Sequence, residues 1–303
     1  MKKYLVTVVG PTAVGKTQVS SRIAQQYKTA VISADARQFY KEMKIGTATP
    51  SDDELQLVPH YFISHLSVTQ PYSAGDFAKD AIAKLDELYQ THDVVVATGG
   101  SGLFIRALTE GLDKFPDVSA ATMLEVNNLY HAGGLKALQE LLMQKDPDYY
   151  AEVDLNNPQR LIRALSVCLA GGMPYSSYRK KKVIQRNFQP VKIGLELERR
   201  QLYQNIDQRV DRMMEAGLLK EVQPLLSFAE LNPLQTVGYT ELFEFIRGYS
   251  SLEAAVALIK QHSRNYAKRQ MTWFKKDKDI RWFHPFQMEE IFSYITQQLT
   301  PQV

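Results

Sequence analysis

The segment that most constrains this chain is the glycine loop at residues 10–17, which ends in a lysine and a threonine. The apolar run at residues 4–9 predicts a buried strand before the loop, and the pattern of residues 18–27 predicts a helix after it. A strand, such a loop and then a helix form a phosphate-binding P-loop. The predicted diphosphate or triphosphate site is therefore Gly10, Pro11, Thr12, Ala13, Val14, Gly15, Lys16 and Thr17.

The chemistry of a P-loop comes from its backbone as much as from its side chains. The backbone N–H groups form an anion-binding concavity, and the positive end of the following helix dipole adds to it. Lys16 supplies a mobile point charge for phosphate oxygens, and the Thr17 hydroxyl is placed to bind Mg²⁺. The loop predicts which group binds but leaves the reaction open.

Composition restricts the class of protein. With 303 residues, one large domain or two smaller ones are expected. No apolar run approaches the ~20 residues that cross a bilayer, and no signal peptide precedes the first strand. The single cysteine, Cys168, excludes an internal disulfide. We therefore expect a cytoplasmic protein with no membrane partner, a monomer being favoured.

Alternation of strands and helices predicts the fold. Short apolar strands are expected at residues 29–33, 94–97 and 191–195, whereas residues 116–188 carry only helical patterns. We expect an α/β protein with a P-loop NTPase-like parallel sheet core flanked by helices, and an inserted all-helical domain. The core comprises residues 1–114 and 189–303 with the C-terminal helices, and the insertion comprises residues 115–188.

Polar residues follow the second and third predicted strands. Asp35 follows the second, and Ser101 lies in a second glycine loop after the third. Because the carboxyl ends of parallel strands line one crevice, both are expected to face the P-loop. Asp35 can orient metal-bound water or accept a proton from a nucleophile, or it can simply cap the next turn. Ser101 can be a helix N-cap, a hydroxyl donor toward the reacting oxygens, or both.

Positive charge is unevenly distributed although the net charge is only +3. Residues 155–195 contain no acidic residue, and residues 260–281 form a second basic stretch. The cations of the first stretch are Arg160, Arg163, Arg179, Lys180, Lys181, Lys182, Arg186 and Lys192. Such asymmetry favours a polyanion-binding surface, although either stretch can also be a solvated face.

Three polar side chains suit the recognition of a nucleic acid. Arg160 and Arg163 share one face of a helix that begins at Asn157, where they can contact phosphates or stack on a splayed base. The Gln38 amide can pair with the edge of an adenine.

The third strand lacks the terminal carboxylate with which a nucleotide hydrolase positions Mg²⁺, which weakens an ATPase interpretation.

An ordered set of motifs spans nearly the whole chain. It consists of the P-loop and residues 33–40, 43–50, 99–103, 157–160 with 163–165, 207–211, 237–239, and 266–270 with 272–274. In this set the sequence resembles the tRNA dimethylallyltransferases, also called isopentenyl-diphosphate:tRNA transferases. The resemblance implies transfer of a dimethylallyl group from dimethylallyl diphosphate to the exocyclic amine of the adenosine on the 3′ side of the tRNA anticodon.

The resemblance also implies roles for individual residues. The diphosphate would occupy the P-loop with Mg²⁺ on Thr17, Arg209 would reach the diphosphate, and Asp35 would accept the amine proton. Ser101 would contact the reacting region. Contacts with the tRNA anticodon stem-loop are implied for Asp35, Ala36, Arg37, Gln38, Ser101, Met123, Gln159, Arg160, Leu161, Ile162 and Arg163.

This chain departs from the family pattern at two positions, and alternatives stay open. Ser101 stands where most relatives carry threonine, and Ala36 stands where serine is frequent. One alternative is a P-loop kinase or NTPase acting on a small molecule. Others are a prenyltransferase that uses free adenine nucleotide and a nucleotide-gated RNA-binding module without catalysis.

Overall fold

The computed structural model describes residues 2–180 and 183–300. Its strands are β1 (Tyr4–Val9), β2 (Val31–Ser33), β3 (His60–Tyr61), β4 (Val94–Gly99), β5 (Gln189–Leu195) and β6 (Arg281–Phe283). They form one six-stranded sheet in the order β3-β2-β4-β1-β5-β6, and every pairing within it is parallel. The predicted α/β class with a parallel P-loop core is confirmed.

Helices account for most of the remaining chain. They are α1 (Lys16–Gln26), α2 (Asp52–Leu57), α3 (Ala74–Leu88), α4 (Gly102–Thr109), α5 (Ala120–Lys145), α6 (Pro147–Glu152), α7 (Pro158–Gly171), α8 (Tyr175–Tyr178), α9 (Arg199–Glu215), α10 (Leu218–Val222), α11 (Tyr239–Ile246), α12 (Leu252–Phe274) and α13 (Met288–Leu299). Two 3₁₀ turns cover Gln223–Phe228 and Asn232–Leu234. Among the described helices, none combines the length and apolar composition that crossing a bilayer requires.

The chain forms two compact units. The first comprises residues 1–110 and 185–303 and contains the sheet, and the second comprises residues 111–184 and contains α5 to α8. The unit boundaries lie four residues before those expected from the sequence, at both ends of the helical segment.

The sheet of the first unit is buried on both faces because its strands are apolar at successive positions. In β1, Leu5 and Val9 belong to a core that also contains residues of α3, α11 and α12. The intervening Val6 and Val8 belong to a second core, with residues of α1 and α13. Since neighbouring strand residues point to opposite faces, a continuous apolar run serves two helical layers at once.

Three strands deliver loops to the same edge of the sheet. In the parallel register Val9 pairs with Gly99, and Ser33 pairs with Thr98. The P-loop after β1, residues 34–38 after β2 (the Asp35 loop) and residues 98–103 at the end of β4 (the second glycine loop) are therefore neighbours. A hydrogen bond of 2.7 Å from the N–H of Ala34 to the carbonyl of Thr98 joins the last two.

Helix starts follow the predicted capping signals. Ser73 followed three residues later by Asp76 predicts a capping box, and at the start of α3 each of these side chains accepts from the other residue's backbone N–H. Asn157 caps α7 by accepting from the N–H of Arg160.

The long helix α12 corrects one expectation. The helical periodicity of residues 252–274 predicts that Trp273 lies on the buried face, but this side chain is 41% exposed. The fully buried residues are Ala255, Ile259, Ala267, Gln270 and Phe274. The buried face of α12 is thus centred on other positions than Trp273.

Candidate active site

The P-loop adopts a conformation that suits anion binding. Gly15 has a φ of +98° and Ala13 a φ of +62°, so left-handed residues interrupt the turn before α1. Such alternation of backbone handedness points successive N–H groups toward one side. Lys16 folds back over the loop and donates to the carbonyl oxygens of Gly10 (3.1 Å) and Pro11 (2.7 Å).

The ammonium group of Lys16 lies in an environment that disfavours its charge. Burial lowers the pKa of Lys16 to about 8, Asp35 opposes this shift, and Arg209 adds to it. Lys16 and Arg209 thus both lie close to Asp35 beside the loop, and positive charge is in excess among these three groups. Such an excess of positive charge stabilises a bound polyanion.

Arg209, from α9, contacts the P-loop directly. Its guanidinium donates to the Thr12 hydroxyl at 2.9 Å. Burial lowers the pKa of Arg209, and the carboxylate of Asp35 partly offsets this. Arg209 therefore lies beside the P-loop, and its contact with a diphosphate stays a prediction.

Two cavities of the first unit meet at these residues. A cavity of about 540 Å³, here called the phosphate cavity, is lined by the P-loop residues 12–17 together with Asp35, Asn205 and Arg212. A larger cavity of about 790 Å³, here called the large cavity, lies next to it. Both are lined by Thr12, Asp35, Thr47, Arg209 and Tyr266.

The wall of the large cavity is partly apolar. Its apolar lining side chains include Leu103, Phe104, Ile206, Val210, Met213, Leu218, Val237 and Ile259. Arg37, Arg269 and Ser101 line it as well. The first unit therefore offers an anion site joined to an amphipathic space, and Asp35 stands at the junction.

Asp35 makes the turn-capping contact that the sequence left open as one alternative. One carboxylate oxygen accepts from the N–H of Arg37 at 3.1 Å, which is a turn-capping bond. The side chain nevertheless lines both cavities. Capping fixes the orientation of this carboxylate at the junction of the cavities, and its catalytic role stays a prediction.

Ser101 is the N-cap residue of α4 by position, but its side chain makes no capping bond. Its hydroxyl instead accepts from the N–H of Ala36 at 3.1 Å, and the residue lines the large cavity together with Tyr266. The predicted N-cap position is thus confirmed, but the hydroxyl bonds the Asp35 loop instead of the first turn of α4.

The side chain of Gln38 holds the Asp35 loop. The amide of Gln38 accepts from Ser33 at 3.0 Å and donates to the carbonyls of Thr47 and Ala48. These contacts use the groups that would read an adenine edge, so they favour a role in shaping the loop. Arg37 lines the large cavity, and burial lowers its pKa.

Two residues of α12 reach the site although the sequence assigned them no function. Tyr266 lines both cavities, and burial together with Asp35 raises its pKa to about 12. Gln270 accepts from the N–H of Thr12 at 2.8 Å and donates to the carbonyl of Gly100 at 2.9 Å. Their four-residue spacing on one helix face was the available signal.

The second unit contains the remaining residues with predicted tRNA contacts. Gln159, Arg160 and Arg163 are exposed on α7. Leu161 and Ile162 are buried in that unit's core, at 0% and 5% exposure, so their side chains cannot provide the predicted contacts. They pack against α5 because they lie on the apolar face of an amphipathic helix.

Met123 also lies against the core of the second unit. Its half-buried sulfur accepts a hydrogen bond from Ser166 at 3.7 Å. A packing role accounts for this side chain, and nothing in its surroundings points to a tRNA contact.

Several cations of the basic stretches are already neutralised or engaged. Arg179 pairs with Glu152 in the second unit. In the first unit, Arg186 donates to backbone carbonyls, and Lys192 pairs with Glu110 and Asp277. Lys260 and Arg264 pair with Asp211 and Asp207. Lys181 and Lys182 lie outside the described residues.

These pairs reduce the basic surface that the sequence predicted. Arg160 and Arg163 are left on an exposed helix face in the second unit, and Arg163 lies over the ring of Phe115 at 5.5 Å. The charge asymmetry of the sequence therefore overstates the number of accessible cations, since distant carboxylates approach several of them in the fold.

The phosphate cavity suits a magnesium ion that arrives with its ligand. Within residues 2–180 and 183–300, no cluster of three acidic, histidine or cysteine side chains is arranged to hold a metal. The oxygen donors that line the phosphate cavity include Thr17, Asp35 and Glu54. Mg²⁺ commonly takes one or two protein oxygens and completes its shell with phosphate oxygens and water, so this donor set fits it.

Comparison with known proteins identifies what this chain resembles. A family model described as IPP transferase matches residues 38–277. The chain is 48% identical over 300 residues to the tRNA dimethylallyltransferase of Christiangramia forsetii, covering 99% of each chain. It is 47% identical to tRNA dimethylallyltransferase 1 of Bacteroides thetaiotaomicron, covering 97% of this chain and 96% of the relative.

A solved structure agrees with these relatives. The full-length tRNA isopentenylpyrophosphate transferase of Bacillus halodurans superposes with a TM-score of 0.72 at 33% identity. The match covers 98% of this chain and 97% of that one. The similarity in sequence and in fold thus extends over the parallel sheet and the helical segment alike.

Proposed function

Because this chain belongs to the IPP transferase family, we propose that it transfers a dimethylallyl group from dimethylallyl diphosphate to tRNA. The acceptor is the exocyclic amine of the adenosine on the 3′ side of the anticodon. One observation carries the proposal in this chain: Asp35 stands where an anion-binding cavity joins a larger, partly apolar cavity. That junction is where a prenyl diphosphate and an amine have to meet.

The diphosphate end of the donor binds in the phosphate cavity. Amides of the P-loop, Lys16 and Arg209 supply donors, and the apolar lining of the large cavity receives the prenyl chain. In the unliganded chain Lys16 is hydrogen bonded to loop carbonyls. It exchanges these neutral acceptors for phosphate oxygens, which form stronger charge-assisted bonds.

The reaction requires one bond to break and one to form. The allylic carbon–oxygen bond of the donor breaks, the adenosine nitrogen bonds to that carbon, and diphosphate leaves. The carboxylate of Asp35 takes the proton from the amine. Negative charge grows on the leaving diphosphate, and the fixed cations Lys16 and Arg209 stabilise it. Ser101 and Tyr266 orient the acceptor beside Asp35.

Thr17 would hold Mg²⁺ together with oxygens of the diphosphate. The ion would supply further positive charge to the leaving group. This assignment rests on the donor set of the phosphate cavity, in which the Thr17 hydroxyl follows Lys16 in the first turn of α1.

The second unit provides contacts with the tRNA. Exposed Gln159, Arg160 and Arg163 on α7 suit phosphates or unstacked bases of the anticodon stem-loop. We assign the reaction to the cytoplasm and expect a monomeric enzyme.

A direct assay tests the proposal. The protein is incubated with labelled dimethylallyl diphosphate, Mg²⁺ and unmodified tRNA that carries adenosine next to the anticodon, and AMP replaces the tRNA in a parallel reaction. Label in tRNA but not in AMP is expected. Label in AMP alone would favour the free-nucleotide prenyltransferase, whereas RNA-independent ATP turnover would favour a kinase or NTPase. Salt-sensitive tRNA binding without any product would indicate a binding module.

A further inference from the structure

One buried amide connects the two loops that carry the proposed chemistry. The side chain of Gln270 is 5% exposed and makes two hydrogen bonds. Its oxygen accepts from the N–H of Thr12 in the P-loop, and its nitrogen donates to the carbonyl of Gly100 in the second glycine loop. Both bonds are shorter than 3 Å, at 2.8 and 2.9 Å.

The P-loop end of this bridge is fixed on two sides. The N–H of Thr12 is bonded to Gln270, and its hydroxyl accepts from Arg209. Thr12 therefore offers its N–H to the protein rather than to a phosphate. Its role is to set the position of the loop whose remaining amides face the anion.

The other end of the bridge leaves no space for a side chain. A Cβ at position 100 would lie 2.3 Å from the Gln270 nitrogen and 3.8 Å from a carboxylate oxygen of Asp35. Glycine is required here for close approach of the amide to the backbone. Ser101 follows Gly100 in the chain. The bridge therefore ends beside Asp35 and Ser101, the two residues expected to face the acceptor.

We propose that Gln270 is a positioning residue that holds the leaving-group loop and the acceptor loop at the separation that prenyl transfer requires. This proposal rests on the proposed function. The two loops follow different strands, and the sheet alone does not fix their tips. The amide bridge makes them one rigid unit, so that diphosphate bound in the P-loop is held in register with Asp35 and Ser101.

Gln270→Met tests the role because methionine has a similar length but neither hydrogen-bonding group. The expected kcat is about 10- to 100-fold lower, while KM for dimethylallyl diphosphate and Kd for tRNA change by less than about threefold. Gly100→Ala displaces the Gln270 amide from the other end of the bridge and should lower kcat similarly. Both changes disrupt the same hydrogen bond between Gln270 and Gly100. The fold loss of kcat in the double variant should therefore be much smaller than the product of the two single losses.

A matched control separates positioning from stability. Phe274→Leu alters a buried residue one turn further along α12 that lines neither cavity. It should lower Tm as much as Gln270→Met does, yet keep kcat within about twofold of the parent chain. Equal losses of kcat in both variants at matched Tm, or near-parental turnover of Gln270→Met, would overturn the proposal.

A second measurement does not depend on turnover. Hydrogen exchange is followed in the parent chain and in Gln270→Met, with and without inorganic diphosphate. In the parent chain, diphosphate should slow exchange in the P-loop and in residues 98–103. In Gln270→Met the slowing should be confined to the P-loop. Absence of prenyl transfer in the parent chain would contradict the proposed function. Equal protection of both loops in the parent chain and in Gln270→Met would contradict the positioning role of Gln270.

Discussion

The hydroxyl of Ser101 accepts a hydrogen bond of 3.1 Å from the backbone N–H of Ala36. This bond joins the loop after β4 to the loop after β2, and it leaves the hydroxyl proton free to point to another acceptor. Ser101 and Tyr266 also line the same large cavity. Ser101 thereby connects the two loops beside the carboxylate of Asp35.

Ser101→Ala should lower kcat by about tenfold, because it leaves the Ala36 N–H without its acceptor at a typical cost of ~1–3 kcal/mol. Ser101→Thr keeps the hydroxyl and restricts its rotamer, so turnover should stay within about threefold of the parent chain. Steady-state kinetics with saturating tRNA measure both. Equal losses in the alanine and threonine variants would rule out a role for the hydroxyl itself.

Asp35→Asn should reduce kcat by about 10²- to 10⁴-fold, because the amide cannot accept the amine proton. The asparagine oxygen can still accept from the N–H of Arg37, so the turn is expected to persist. Filter binding should show a Kd for tRNA close to that of the parent chain. Turnover near the parent value would show that another group is the proton acceptor.

The pH dependence should report the ionisation of Lys16. In the free enzyme its pKa is lowered to about 8, so the ammonium charge is present below this pH and is lost above it. The value of kcat/KM for dimethylallyl diphosphate should therefore fall as the pH rises through about 8, since that ratio follows ionisations of the free enzyme.

Lys16→Arg provides the control for this profile. A guanidinium stays charged throughout this range, so the variant should lose the descending limb even if its maximum is lower. A parent profile that is flat to pH 10, or one whose fall persists in the arginine variant, would assign the effect to another group.

Arg160 and Arg163 should contribute to tRNA affinity through charge. Changing either to Gln should weaken tRNA binding and reduce the slope of log K against log salt by about one, as expected when one phosphate contact is lost. Arg179→Gln is the matched control in the same unit, because Arg179 already pairs with Glu152 at 2.7 Å. An unchanged salt slope in both test variants would remove α7 from the tRNA surface.

Glu221 and Tyr239 should stabilise the loop at residues 45–47. The Glu221 carboxylate accepts from the N–H groups of Ile45 and Gly46 and from the fully buried Tyr239 hydroxyl. Tyr239→Phe should lower the free energy of unfolding by about 1–2 kcal/mol, and Glu221→Gln by about 2–3 kcal/mol, since the amide presents a donor to other donors. Urea denaturation measures both, and a smaller effect for the Glu221 variant would contradict this arrangement.

Short-range patterns made much of the fold predictable. The P-loop, the apolar strands and the caps of α3 and α7 each depend on residues within a few positions of one another, and the structure has all of them. Asp35 was placed at the crevice for a similarly general reason, because parallel strands of a sheet end at a common edge.

Burial within a helix was harder to predict. The pattern of α7 marks an apolar face correctly, but the tRNA contacts inferred for Leu161 and Ile162 ignored that both lie on it. The number of accessible positive charges was also overestimated, because the acidic partners of Lys192, Lys260 and Arg264 lie far away in the sequence. Pairing of this kind depends on the fold and leaves no local pattern.

The sequence by itself determined the order of strands, loops and helices, the anion-binding loop and the carboxylate beside it, since these follow from local geometry and hydrophobic periodicity. Only the tertiary structure decided which side chains meet there. Gln270 and Thr12 are 258 positions apart, yet one amide hydrogen bond joins them. Their meeting depends on how α12 packs on the sheet, which is the sum of many apolar contacts that no short stretch of sequence contains.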